Sequence, residues 1–217
     1  MPDSANAPIS CLPALCALIG IGMAVPAQDS RLPQFGRDTV LVWKISNPED
    51  SATFVVRIAQ FLPDRYIEWE NATTQGTILL PNKAVAGARN FVNARLFEGG
   101  VDTRGKDATT LWLSQQVFRE LKLKNRVKLA IDSVDGWMAV DGSDQLVVEI
   151  NRSPIAVPVV KVKDDRGQER WFLDMEENPL MVKHVFRAFS QTLKSITTDR
   201  PNTLRWIKGK RLISPPR

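Results

Sequence analysis

Apolar and polar residues alternate in short runs through most of this chain, and clusters of turn-forming residues separate the runs. The pattern is clearest across residues 145–187, around which the rest of the chain is organised. There Leu146, Val148 and Ile150 alternate with Gln145, Val147 and Glu149, the period of two expected of a strand with one buried face. Residues 156–163 form a run rich in β-branched side chains, and Lys163-Asp164-Asp165-Arg166-Gly167-Gln168 supplies a turn in which Gly167 accepts positive φ at no steric cost. Trp171, Leu173 and Met175 then alternate with Arg170, Phe172 and Asp174, giving a second hairpin arm with one apolar and one mixed face. Glu176-Glu177-Asn178-Pro179 breaks the run, because proline cannot donate to a ladder, and a third strand follows over residues 180–187.

Upstream, Leu41, Trp43 and Ile45 share one strand face. After the turn signal Asn47-Pro48-Glu49-Asp50, Phe54, Val56 and Ile58 share another. Leu62-Pro63-Asp64 interrupts before Ile67 and Trp69 resume the alternation, and Asn71-Ala72-Thr73, a formal glycosylation sequon, reads as the turn before a strand over residues 77–80. Residues 81–88 suit a single loose helical turn weakened by Gly87, residues 91–97 a strand, and residues 98–107 a polar surface loop. The best helix starts at the N-cap Ser114, carries Val117, Phe118 and Leu121 at helical spacing, and ends before Asn125. Val127, Leu129 and Ile131 return to strand spacing, with turns expected at Asp135-Gly136 and Asp141-Gly142. The expected fold is therefore mainly β: one antiparallel meander over residues 37–199, built on one core as a sandwich or partly open barrel. One short helix closes an end or packs across it.

The two termini change this picture. Residues 11–27 are nearly all apolar or small, and Val25-Pro26-Ala27 suits cleavage before Gln28, so residues 1–27 are expected to be a signal peptide and residues 28–36 a linker. The n-region departs from the template in holding Asp3 and no Lys or Arg, and the run is short of the roughly 20 residues of a spanning helix. Both cysteines, Cys11 and Cys16, fall inside this segment, so the mature chain would carry no disulfide. The formal net charge is +5, yet residues 200–217 hold Arg200, Arg205, Lys208, Lys210, Arg211 and Arg217 without an acid. With those six cations and Asp3 set aside, residues 28–199 are neutral. The basic character belongs to the tail, where Trp206 among Arg205, Lys208, Lys210 and Arg211 suits an anionic lipid or polymer surface, each cation contributing on the order of 1 kcal/mol. Nucleic acid is not an expected partner, because the neutral body offers no basic groove.

Leu111-Trp112-Leu113-Ser114 with Val117 and Phe118, and Trp171-Phe172-Leu173-Asp174 with Asn178-Pro179-Leu180, carry a likeness to a known group. On these short motifs the second half of the chain resembles uncharacterised exported bacterial β-rich domains, some of which occur beside OmpA-like peptidoglycan-binding modules. The resemblance implies an envelope location. It implies no reaction and no functional residue.

The residues able to carry chemistry are few. His184 is the sole histidine and, by alternation, shares a face with Leu180, Val182 and Phe186, the setting of a core-edge histidine bonded to its surroundings. One histidine and no mature cysteine give no zinc set, and no metal or other cofactor is expected. Ala130-Ile131-Asp132-Ser133 and Phe172-Leu173-Asp174-Met175 approach the aspartic-protease pattern. Each lacks the glycine that forms its tight turn, so Asp132 and Asp174 read as strand-end carboxylates. No G-x-S-x-G elbow, P-loop or G-x-G-x-x-G occurs. Of six tryptophans, Trp43, Trp69 and Trp171 are the candidates to line an apolar ligand site; core packing is the competing role for such strand-face residues. The expected function is an exported, non-catalytic envelope protein that binds an apolar ligand or another envelope component. The alternatives are a hydrolase using Asp132 or Asp174 and anionic-surface binding through the basic tail.

Overall fold

A computed structural model describes residues 32–93, 102–104 and 107–198. The expected signal peptide and the tail residues Arg205, Trp206, Lys208, Lys210 and Arg211 lie outside the described residues. The alternating runs become strands: β1 (Val40–Ser46), β2 (Ser51–Gln60), β3 (Arg65–Glu70), β4 (Gln75–Leu80), β5 (Asn90–Phe91) and β6 (Asp102–Arg104) come first. The second half contributes β7 (Arg126–Ile131), β8 (Val134–Ile150), β9 (Ser153–Asp164), β10 (Glu169–Leu173), β11 (Met181–Phe186) and β12 (Phe189–Thr197). Two helices, α1 (Asn82–Gly87) and α2 (Gln115–Lys124), interrupt them. The fold is mainly β, as the alternation requires. α1 adds a helical turn at the loose segment, so α2 is not alone among the described residues.

The strands form one 12-stranded sheet in the order β5-β7-β8-β9-β10-β11-β12-β1-β2-β3-β4-β6. Neighbours pair antiparallel except β4 with β6 and β5 with β7, which are parallel. The meander also curls on itself: Glu149 and Ile150 of β8 pair in parallel with Ser195 and Ile196 of β12, closing the consecutive strands β8 to β12 into a ring. Turn chemistry explains why β8 is so long. The chain reverses at Asp132-Ser133, both with positive φ, rather than at Asp135-Gly136, which stays in the ladder. Asp141-Gly142 is likewise no turn. It is a bulge in the β8–β9 ladder, with Gly142 at φ 132°.

Because strand faces alternate, a sheet covered on both sides buries both sets of side chains. That is the case for β9 and β10. Val157, Val159, Trp171 and Leu173 enter one apolar cluster with Leu41, Trp43, Phe54, Val56, Ile67, Trp69 and Trp112. Val160, Val162 and Phe172 enter a second with Phe91, Leu129, Met181 and the Val117, Phe118 and Leu121 stripe of α2. Two clusters thus replace the single expected core, because α2 covers the face that the meander leaves open. Ser114 Oγ accepts from Val117 N at 3.3 Å and Asn125 adopts φ 56°, so the helix starts and stops where its caps dictate.

Candidate functional site

The three tryptophans expected to line a ligand site meet in the first cluster, 0%, 3% and 6% exposed for Trp43, Trp69 and Trp171. Phe54 bridges two of them, its ring centroid 5.8 Å from that of Trp43 and 6.1 Å from that of Trp69. Trp69 lies flat across its cross-strand partner Gly76, where a Cβ would come within 2.9 Å of the indole. The three therefore serve as packed core side chains, each burial of this size contributing about 1.5–3 kcal/mol or more.

The two carboxylates weighed for hydrolysis are engaged at different places. Asp132 sits in the β7–β8 reversal and accepts from Asn93 N at 2.8 Å. Asp174, just past β10, accepts from Lys122 of α2 at 2.5 Å. An aspartic dyad needs two carboxyl groups in contact sharing a proton, and these two are tied to different elements by different partners.

His184 departs from the alternation. A bulge between Trp171 and Phe172 in the β10–β11 ladder sets Phe172 opposite Met181 and Arg170 opposite His184. The imidazole therefore shares a side with the second cluster rather than with Val182. It joins a buried polar chain. Asp164 Oδ2 accepts from Arg170 Nη1 at 2.9 Å, and Gln168 Oε1 accepts from Arg170 Nη2 at 2.6 Å. The same Gln168 oxygen lies 2.9 Å from His184 Nε2, and His184 Nδ1 lies 3.0 Å from Asn93 Nδ2. Arginine only donates, so Gln168 presents its oxygen, His184 carries its proton on Nε2, and Nδ1 accepts from Asn93. Burial, then the charge of Arg170, push the imidazole down to about 3, so it is neutral at neutral pH. Arg170 Nε is buried without a hydrogen-bond partner among the described residues; the other groups of the chain satisfy one another. The arrangement fixes a fold and leaves no nucleophile to activate.

A second buried arginine is a different case. β3 places Arg65 on the same face as Ile67 and Trp69, so a guanidinium enters the first cluster at 2% exposure. Its carbon stands 4.7 Å from the ring centre of Phe61 and 4.8 Å from that of Trp112. Its one hydrogen bond among the described residues is a long one, Nη2 to Glu177 O at 3.4 Å. Among the described residues Nε and Nη1 have no hydrogen-bond partner, and no carboxylate forms an ion pair with the guanidinium. Desolvation pushes its pKa down to about 10, so it remains a cation at neutral pH.

The surroundings repeat this feature. Trp112 Nε1 and both side-chain polar atoms of Asn178 are buried without a hydrogen-bond partner among the described residues. Backbone contacts assemble them: Trp112 bridges to Leu180, Leu113 N donates to Pro179 O at 3.1 Å, and Met181 N donates to Leu111 O at 2.6 Å. The segments 111–114 and 178–180, which carry the sequence likeness, thus lie side by side next to Arg65. Phe61 also lines an open groove of about 390 Å³ with Phe35, Gly36, Arg37, Ala59, Gln60 and Leu62. Phe35 stacks on Phe61 at 6.3 Å, and Leu62 is 71% exposed. The sequence reading passed over Arg65. The available signal was a cation at the start of the alternation continued by Ile67 and Trp69, where an apolar residue belongs.

Comparison with known proteins found no matching family model, no similar curated protein and no similar solved structure.

Proposed function

We propose that this protein is an exported, non-catalytic component of the cell envelope that binds an apolar ligand at the groove formed by Phe35, Phe61 and Leu62. The observation that carries the reading is that groove: two stacked phenylalanines and an exposed leucine stand directly outside the first apolar cluster, to which Phe35 and Phe61 also pack. Its volume of about 390 Å³ lies within the usual range for small-ligand sites, about 300–1,000 Å³. The apolar leader over residues 11–27 and the likeness to exported β-rich domains support the envelope location. The basic tail supplies a second, salt-sensitive attachment to anionic lipid or polymer.

Titration with dodecanol, followed by intrinsic tryptophan fluorescence, tests the reading. Saturable binding is expected, weakened about tenfold or more by Leu62→Asp, which puts a charge on the groove wall without touching the core. Absence of saturable binding, or equal binding by the variant, overturns it.

A further inference from the structure

We propose that Arg65 is the counter-ion for the head of an amphipathic monocarboxylate, so that the ligand of the groove is a long-chain acid; this rests on the groove reading above. A buried cation without a counter-ion is costly and persists where something outside the chain completes it. Here the incomplete groups cluster. Arg65 Nε and Nη1, Trp112 Nε1 and the Asn178 amide are all buried, and all but the Asn178 oxygen are donors. A set rich in donors around one positive charge recognises an anion.

The guanidinium geometry narrows the class. Nε and Nη1 flank Nη2, so whichever Nη2 hydrogen Glu177 O engages, one edge of the fork stays open for two acceptor oxygens. Carboxylates and phosphates both offer two oxygens. Charge separates them: among the described residues Arg65 is the one buried cation beside these unpaired donors, Arg37 of the groove being exposed and next to Asp38, and a phosphate monoester carries about 1.5–2 negative charges near neutral pH. A carboxylate balances one guanidinium, whereas a phosphate leaves charge buried and unmatched.

Phe61 connects the two parts. Its ring covers Arg65 and lines the groove, and it lies in the connection between β2 and β3, so it can swing without breaking a ladder bond. A carboxylate that enters past Phe61 meets Arg65 while its chain lies along Phe35 and Leu62.

Three probes of equal chain length, dodecanoate, dodecanol and dodecyl phosphate, applied to the full chain and to Arg65→Met, test this. Wild type should bind dodecanoate about tenfold or more tightly than dodecanol, the acid's advantage disappearing in Arg65→Met while dodecanol binding stays. Dodecanoate should also raise the melting temperature of wild type more than that of the variant, in which acid and alcohol should stabilise equally. Equal binding of acid and alcohol by wild type overturns the proposal and leaves the groove reading standing. No binding of any probe overturns both. Tighter binding of dodecyl phosphate than of dodecanoate overturns the carboxylate assignment. If Arg65→Met does not fold, the wild-type ratio of acid to alcohol decides, and Arg65→Lys, which keeps the charge and loses the fork, should reduce the ratio.

Discussion

Arg65 and Arg170 are both buried arginines on central strands, and both have their pKa lowered by desolvation. Their surroundings differ completely. Arg170 has Asp164 at 2.9 Å and Gln168 at 2.6 Å, both reached through the β9–β10 turn. Arg65 has two aromatic faces and one distant carbonyl. A local hairpin gives the first arginine a carboxylate and an amide oxygen from residues six and two positions away, leaving Nε without a partner among the described residues. The second faces nearby Phe61 and segments more than forty residues off, which bring it a backbone carbonyl and an indole but, among the described residues, no carboxylate contact. The difference teaches that burial alone does not mark a site. An arginine given a counter-ion by its own chain is structural, and one left without a counter-ion points outward to a ligand.

The largest effect should come from breaking the ion-paired arginine. Asp164→Ala leaves Arg170 buried without its counter-ion and also removes the acceptor for the Arg166 and Gln168 amides. Unfolding in urea should show a loss of about 3–5 kcal/mol. A loss under about 1 kcal/mol would mean that the pair is dispensable.

Next comes the histidine of the same chain. Its pKa in the folded protein is about 3, below the ordinary 6.5, so between these values the unfolded chain binds the extra proton. This contribution to stability is full above about pH 6.5 and is lost as pH falls toward 3, at about 1.4 kcal/mol per pH unit. From pH 6.5 to 4.5 wild type should lose about 2–3 kcal/mol more than His184→Gln, whose amide does not titrate. Parallel pH profiles for the two proteins would show that the imidazole is not held neutral.

The incomplete arginine should respond with the opposite sign and least strongly. Arg65→Met removes an uncompensated charge and keeps an apolar side chain between Phe61 and Trp112, so the ligand-free protein should gain about 1–2 kcal/mol in urea unfolding. A loss comparable to that of Asp164→Ala would make Arg65 structural and erase the contrast.

Much of this protein was legible without coordinates. Period-two alternation at Leu41, Trp43 and Ile45, at Phe54, Val56 and Ile58, and at Leu146, Val148 and Ile150 marks strands because one face of each must leave water. Ser114 and Asn125 bound α2 because a hydroxyl caps an amide that the helix leaves unpaired and asparagine tolerates the left-handed region. These are properties of neighbouring residues, and a sequence states them directly.

Four outcomes were decided by tertiary structure. Whether Asp141-Gly142 is a turn or a bulge depended on the partner strand, since β9 continues the ladder past it. The side on which His184 lies depended on a bulge set by β10. The closure between β8 and β12 joins residues 149–150 to residues 195–196, a pairing that no local periodicity encodes. Arg65 and Trp112 are 4.8 Å apart across forty-seven positions of chain, and whether a buried guanidinium finds a carboxylate is settled only when such distant segments pack. Local pattern fixes which face of a strand is buried, because hydrophobic burial is a property of each residue. Charge satisfaction is a property of pairs, and only the folded chain assembles the pairs.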